Sequence, residues 1–105
     1  MLRKEIEEKH GKDWWKRKLK INTEHVIKLC VRGIENEKIR EALRCGVIYR
    51  HPEKAKRYMC VHKEDGDYLS IVFVPANHSN IIISGFPSKP KEIDIFETIR
   101  GGPNG

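Results

Sequence analysis

A histidine and an arginine seven residues apart carry side chains that could do acid–base chemistry and bind anions. His25, Leu29 and Arg32 follow at i, i+4 and i+7, which places them on one face of an α-helix. An imidazole titrates near neutral pH, so His25 could act as a general base or acid. The guanidinium of Arg32 could bind a phosphate bidentately. The structural alternatives are a surface histidine at a helix start and a cation that complements the helix dipole.

Two more polar pairs flank the boundary between two expected strands. Arg50 and His51 close the first strand, and Arg57 and Tyr58 open the next, so the two pairs should be neighbours. Arg50 is a candidate catalytic cation, and Arg57 is a candidate contact to nucleic acid. Tyr58 could stack on a base or donate a proton. Its structural alternative is a half-buried aromatic side chain in a strand.

An aromatic and basic cluster lies closer to the N-terminus. Trp14 and Trp15 precede a run of cations, and such clusters can stack bases and neutralise phosphates. The cations of this run that we predict to bind nucleic acid are Lys16, Arg17, Lys18 and Lys20. In the alternative interpretation one tryptophan packs against the sheet while the lysines face water, and we favour this for the tryptophans.

Length and charge restrict the class of protein. A chain of 105 residues is enough for one domain, and its net charge of +6 favours a polyanionic partner, most often RNA or DNA. A charged surface that only keeps the protein soluble is the alternative. The sequence has no apolar run long enough to span a membrane and no apolar leader at its start, so we expect a cytoplasmic protein with no membrane partner.

The cysteines and the short motifs give no indication of a metal or a cofactor. The number of cysteines is odd, which argues against a disulfide framework, and Cys30, Cys45 and Cys60 are expected to be small core residues. Cys60 and His62 form a Cys-x-His pair, but no second pair stands at zinc-finger spacing. Phosphate-loop, dinucleotide-binding and zinc-protease motifs are all missing from the sequence. We therefore predict no metal site and no cofactor.

Apolar periodicity predicts three helices before the first strand. The first spans residues 2–20, and Gly11 weakens its middle, so two shorter helices are the alternative. The second begins at Asn22 or Thr23 and ends at Gly33. Its expected buried residues are Val26, Ile27, Cys30 and Val31. The third begins at Glu35 or Asn36, buries Ile39, Ala42 and Leu43, and ends at the C′ glycine Gly46.

Four strands follow the helices. They are residues 47–50, 57–62, 68–74 and 81–86, and an Asp65-Gly66 turn joins the second to the third. The predicted fold is therefore α+β, with two or three N-terminal helices packed on one face of a four-stranded antiparallel sheet. One face or edge of this sheet is left for a ligand. Residues 88–105 form an extension in which a short amphipathic helix or a docking strand precedes a flexible tail over 101–105.

The order of these motifs resembles a known group of small domains. His25 precedes Arg32-Gly33-Ile34, a helix from Glu37 to Leu43 ends near Gly46, and a strand meander follows. This pattern is similar to a subgroup placed near the RelE-like toxins, in the barnase, EndoU, colicin and RelE superfamily of metal-independent ribonucleases. The resemblance covers about 23–87. We therefore expect a single domain, 1–105, that consists of an N-terminal basic helical segment (1–20), a RelE-like core (21–87) and a C-terminal extension (88–105).

The resemblance implies an activity and a set of partners. The expected activity is metal-independent endonucleolytic cleavage of RNA by transesterification. This reaction needs a base for the 2′-OH, a cation for the phosphorane and an acid for the leaving oxygen. His25, Arg32, Arg50 and Tyr58 would line the basic cleft, and an antitoxin protein would be a partner. The sequence leaves open whether the protein forms a homodimer. It also leaves open two other functions on the same fold, a nucleic-acid-binding module without catalysis and a protein-interaction module.

Overall fold

The computed structural model describes residues 2–101, in which four α-helices and a short 3-10 turn surround a five-stranded sheet. The helices are α1 (Arg3–His10), α2 (Thr23–Val31), α3 (Asn36–Cys45) and α4 (Pro90–Gly101), and the 3-10 turn is Trp14–Lys16. The strands are β1 (Lys18–Ile21), β2 (Val47–Arg50), β3 (Tyr58–Glu64), β4 (Asp67–Pro75) and β5 (Ser79–Pro87). The α+β class is confirmed. Of the predicted tail, Gly101 ends α4, and residues 102–105 lie outside the described part.

The sheet has one strand more than predicted, and it is mixed. Its order is β1-β5-β4-β3-β2, in which β2 to β5 form an antiparallel meander and β1 lies parallel to β5. The prediction of a helix through residue 20 was wrong here. Gly11, at φ +93°, ends α1, and the alternation of Lys18-Leu19-Lys20-Ile21 fits the two-residue period of a strand.

Local turn and cap signals were correct at several positions. Asp65 and Gly66 both have positive φ, 52° and 87°, as a two-residue turn between β3 and β4 requires. The Asn22 side chain accepts a hydrogen bond of 2.9 Å from the backbone N–H of Glu24, which caps α2. Gly33 follows α2 with φ +71°. These signals depend on three or four consecutive residues, so the sequence alone contains them.

The main core fills the space between one face of the sheet and the N-terminal elements. Trp14 is 1 % exposed and stacks on Phe73 of β4, with ring centroids 5.7 Å apart and planes 9° apart. The other fully buried side chains around this pair include Ile39, Ala42, Leu43, Ile48, Cys60, Ile71 and Ile82. One tryptophan therefore packs against the sheet, as we favoured, while Lys16, Lys18 and Lys20 are exposed.

The prediction for the buried face of α2 was wrong. Leu29 is the buried residue of this helix, whereas Val26, Ile27 and Val31 are 46 %, 60 % and 83 % exposed. Cys30 is also exposed. The helix packs on β5 near one edge of the sheet through the side that carries Leu29. The apolar residues that the periodicity assigned to the core therefore face away from it.

The C-terminal extension forms a helix, which is one of the two alternatives that we expected, and it covers the other face of the sheet. Phe96 of α4 packs with Val47 and Val61, and the Tyr68 ring meets Phe96 edge-on with centroids 5.4 Å apart. The helices therefore lie on both faces, not on one as predicted. Within residues 2–101, no helix is both long and apolar enough to cross a bilayer.

Gly46 is required by close packing and not by a left-handed backbone, because its φ is −72°. A Cβ atom at this position would lie 2.5 Å from Cys60 Sγ, 2.6 Å from the carbonyl oxygen of Ala42 and 2.9 Å from that of Val61. We expect Gly46→Ala to lower the free energy of unfolding by about 1–3 kcal/mol, measured by urea denaturation. Cys45→Ala, at the exposed neighbouring position, is the control and should change it by less than about 0.5 kcal/mol. Equal stability of the two variants would contradict this packing.

The three cysteines differ in exposure. Cys30 and Cys45 are exposed, contrary to the prediction of core residues, while Cys60 is buried and donates to the carbonyl oxygen of Ala42 at 2.9 Å. Burial raises the pKa of the Cys60 thiol to about 12, so almost no thiolate exists there at pH 8. An aromatic disulfide reagent should modify two thiols rapidly in the folded protein and the third only in urea. Three rapid thiols without denaturant would contradict the burial of Cys60.

Candidate functional site

The structure brings together two of the side chains predicted to be catalytic. Arg50 of β2 and Tyr58 of β3 are paired in the sheet register, and the Arg50 guanidinium lies 5.7 Å from the centroid of the Tyr58 ring. Arg50 also donates to the Glu5 carboxylate at 3.3 Å. The Tyr58 ring packs at 6.0 Å from Phe73. Both side chains thus help to hold α1 and β2 against the rest of the sheet.

The other two predicted catalytic residues lie over a different part of the sheet. The guanidinium of Arg32 donates to the carbonyl oxygen of Gly85 in β5 at 2.6 Å, and His25 is half-buried two turns earlier on α2. Strands β4 and β3 separate β5 from β2, so the axes of these two strands are about 14 Å apart.

Among the predicted contacts to nucleic acid, Arg17 is held inside the fold. Its guanidinium donates to the carbonyl oxygens of His10 and Ala76, each at 2.5 Å, and lies 3.1 Å from His10 Nδ1. Burial lowers the pKa of His10, and the neighbouring charge of Arg17 lowers it further. This arginine therefore links the end of α1 to the connection between β4 and β5.

The remaining predicted contacts are at or near the surface. The Lys16 ammonium lies 5.3 Å from the Trp15 ring and 3.7 Å from the Asp13 carboxylate. Lys18 and Lys20 project from β1 on the side opposite to Leu19 and Ile21, which pack on the core. Arg57 is half-buried, and its carbonyl oxygen accepts a hydrogen bond from the backbone N–H of His51.

An open cleft of about 780 Å³ is the strongest candidate for a functional site. It lies between the α2–α3 connection, the β3–β4 hairpin and the start of α4. The charged and titratable side chains that line it are Arg32, Lys38, His62, Glu64, Asp65 and Asp67, with Tyr68 beside them. We call it the hairpin cleft. It contains one of the four residues predicted to be catalytic, Arg32.

The geometry of the backbone explains how these residues meet. His62 and Glu64 are two residues apart in β3, so both point to the same side of the sheet, and Glu64 pairs with Asp67 across the hairpin turn. Lys38 lies in the first turns of α3, with its ammonium 3.4 Å from the carbonyl oxygen of Gly33. Because the chain reverses at Gly33, Arg32 and Lys38 line the same cleft.

From the sequence we predicted no catalytic role for His62 and considered it only as a metal ligand. A signal for its role was present: a histidine and a glutamate at strand spacing, directly before an Asp-Gly turn. Lys38 had no such signal, because its position depends on how α3 docks on the sheet.

The hairpin cleft combines groups that can transfer protons with groups that can bind an anion. An imidazole and carboxylates can act as acid and base. The hydrogen bond to Gly85 fixes the direction of the Arg32 side chain, and its other nitrogens make no hydrogen bond within residues 2–101. Tyr68 donates to the Glu97 carboxylate, which links the cleft wall to α4. The described part of the chain holds no cluster of three or more His, Cys, Asp or Glu side chains suited to a metal.

Comparisons with known proteins give no assignment: no family model, no curated protein and no solved structure matches this chain. The function therefore has to be inferred from the geometry of the site.

Substitution of Arg17 should affect stability more than that of its neighbour Lys16. Arg17→Ala removes charged hydrogen bonds to two backbone carbonyls, so we expect the free energy of unfolding to fall by about 2–3 kcal/mol. Lys16→Ala removes only exposed contacts and should change it by less than about 0.5 kcal/mol. Urea denaturation measures both. Equal stabilities, with weaker RNA binding by Arg17→Ala, would instead indicate a direct phosphate contact.

Proposed function

We propose that this protein is a toxin-like, metal-independent endoribonuclease that cleaves RNA by transesterification through the 2′-OH. The observation that carries the proposal is the hairpin cleft, in which an imidazole, carboxylates and two cations line one open cavity. These are the three kinds of group that the reaction needs: a base, an acid and a cation.

Each group in the cleft has a role in this reaction. The Glu64 carboxylate takes the proton from the ribose 2′-OH, and the 2′-oxygen attacks the phosphorus. The bond from phosphorus to the 5′-oxygen breaks, and protonated His62 gives its proton to that oxygen. Arg32 and Lys38 stabilise the charge on the phosphorane oxygens. The products are a 2′,3′-cyclic phosphate and a free 5′-hydroxyl, and the reaction cannot proceed on DNA, which has no 2′-OH.

Of the four catalytic residues predicted from the sequence, this proposal keeps Arg32 and replaces the other three. His25, Arg50 and Tyr58 do not line the hairpin cleft. Arg50 and Tyr58 have intramolecular contacts that give them a structural role instead. The spacing of His62 and Glu64 in β3 is about 7 Å between Cα atoms. That separation lets the two side chains reach opposite sides of one phosphate.

The expected antitoxin and the cytoplasmic location follow from the same proposal. A ribonuclease that cuts cellular RNA acts where that RNA is, and it must be inhibited there until it is needed. An antitoxin that covers the hairpin cleft would supply such inhibition.

A nucleic-acid-binding module without catalysis is the second candidate. The exposed Lys16, Lys18 and Lys20 favour it, since exposed lysines neutralise phosphates without any chemistry. The hairpin cleft does not decide between the two candidates by charge, because Glu64, Asp65 and Asp67 would repel an RNA phosphate there in either case. Formation of RNA products separates the two candidates.

The test is cleavage of end-labelled RNA by the pure protein in EDTA, and in a separate reaction with Mg²⁺, which ribosomes need, cleavage of the same RNA while ribosomes translate it. We expect cleavage products that end in a cyclic phosphate, and no cleavage of DNA of the same sequence. His62→Gln and Glu64→Gln should each lower the rate by about 10²–10⁴-fold. His78→Gln, at an exposed histidine in the β4–β5 connection, is the matched control and should be as active as the unchanged protein.

Two results would reject the hairpin cleft as the active site. If His25→Gln abolishes cleavage while His62→Gln does not, the catalytic histidine is the one on α2. If RNA stays intact in every reaction, with or without ribosomes, the protein is not a ribonuclease.

A further inference from the structure

One edge of the sheet and the helix beside it form a surface that the described residues leave uncovered. β1 pairs with β5 on one side only and has no strand of residues 2–101 on the other. A groove of about 680 Å³ runs along it, with Leu19 and Ile21 of β1 on one wall and Val26 and Cys30 of α2 on the other. Polar residues before and at the start of α3 also line it, and they are Glu35, Asn36 and Glu37. We call this the β1–α2 surface.

The exposed side of α2 extends the apolar part of this surface. Ile27 and Val31 are 60 % and 83 % exposed, and they follow Val26 and Cys30 along the same side of the helix. Single exposed aliphatic residues are common, but a continuous group of them beside an unpaired strand is typical of a protein-interaction site.

The two sides of β1 have different chemistry. Leu19 and Ile21 face the groove and the core, whereas Lys18 and Lys20 face the opposite side and are exposed. A strand added at this edge places its own side chains alternately on the two sides. Residues on the groove side would therefore contact aliphatic groups, and residues on the other side would lie opposite lysines.

We propose that β1 binds an extended segment of a partner protein in which apolar and acidic residues alternate. The main-chain groups of the segment would extend the sheet by one strand. Its apolar side chains would fill the groove beside Val26 and Cys30, and its carboxylates would pair with Lys18 and Lys20. Charge complementarity with Lys18 and Lys20 selects this occupant, because its carboxylates lie on the lysine side of β1 and only its apolar side chains enter the groove that Glu35 and Glu37 also line.

A second copy of the chain fits this edge poorly. If two β1 strands paired with the helices of both copies on the same side of the sheet, lysines would face lysines, which destabilises a sheet. In the other possible pairing, the helices of the two copies would lie on opposite sides of the sheet. Each lysine would then face Leu19 or Ile21 of the other copy, and the exposed apolar residues of the two α2 helices would not meet. Lysines on an edge strand also act against self-association in general.

RNA also fits less well than an acidic peptide segment. Its phosphates could contact the two lysines, but the exposed aliphatic residues of α2 would stay in water. The proposal uses neither His62 nor Glu64, so its test is independent of ribonuclease activity.

The first experiment uses a capped octapeptide of alternating glutamate and valine as the probe, with isotope-labelled protein observed by NMR. We expect saturable binding, with slower hydrogen exchange at backbone amides of β1 and shifted signals for Val26 and Cys30. An alternating lysine and valine octapeptide and a backbone N-methylated glutamate and valine octapeptide should not bind. A twelve-residue oligouridylate and sedimentation of the protein alone test the other two occupants.

Charge reversal provides the matched comparison. The double variant Lys18→Glu and Lys20→Glu should bind the acidic peptide on the order of tenfold more weakly and should gain binding to the lysine peptide. The control, Lys4→Glu with Lys54→Glu, has the same net charge at exposed positions elsewhere and should bind as the unchanged protein does.

Three outcomes would overturn the proposal. They are no binding of the acidic peptide up to millimolar concentration, binding without protection of the β1 amides, and equal weakening by both double variants. A dimer of the protein alone that is lost on charge reversal at Lys18 and Lys20, or protection of β1 by oligouridylate and not by the peptide, would assign the edge to another occupant.

Discussion

The position of the N-terminal segment depends on one buried residue, Trp14. Its ring stacks on Phe73 in the middle of β4, and its carbonyl oxygen accepts a buried hydrogen bond of 3.0 Å from the Asn80 side chain at the start of β5. Burial of an aromatic side chain of this size contributes several kcal/mol. Part of this gain is offset, because Trp14 Nε1 and Asn80 Oδ1 have no hydrogen-bond partner in the described residues. Since β1 begins four residues after Trp14, this contact brings β1 beside β5.

The location of β1 determines what each part of the sheet can do. A parallel strand beside β5 moves the edge of the sheet outward, and α2 then follows β1 over β5 without reaching the centre of the core. Because of this path, the exposed apolar residues of α2 stay in solvent, and together with β1 they form the β1–α2 surface. The same path carries the chain through Gly33 to the far end of β5, where Arg32 and Lys38 meet the β3–β4 hairpin. The uncovered edge and the hairpin cleft therefore both result from the path that the chain takes from β1 through α2 to α3.

The sequence predicted those features that depend on consecutive residues, and it failed where distant residues decide. The Asp65-Gly66 turn and the Asn22 cap follow from local backbone preferences and were correct. β1 is only four residues long and pairs with residues about sixty positions later, so its short alternation of lysine and aliphatic residues was not enough to distinguish it from the end of a helix. The apolar residues of α2 form a helical face, but the choice of which side to bury depends on docking against β5. The position of His62 could have been predicted from its strand spacing to Glu64, whereas the position of Lys38 could not.

The basic composition also requires a different interpretation once the contacts are known. Arg3, Arg17, Arg32 and Arg40 each donate to backbone carbonyl oxygens of distant residues, and Arg44 and Arg50 pair with glutamates. Most guanidinium groups are therefore engaged in holding the fold together. The positive charge that is available to a partner comes mainly from lysines, which bind as flexible point charges and lack the rigid fork of arginine. Arg32 differs from the others in its position, because it lines the hairpin cleft, where the bond to Gly85 orients it. In the proposed reaction this oriented cation would stabilise the phosphorane, whereas the lysines would supply only the less directional attraction between point charges and phosphates.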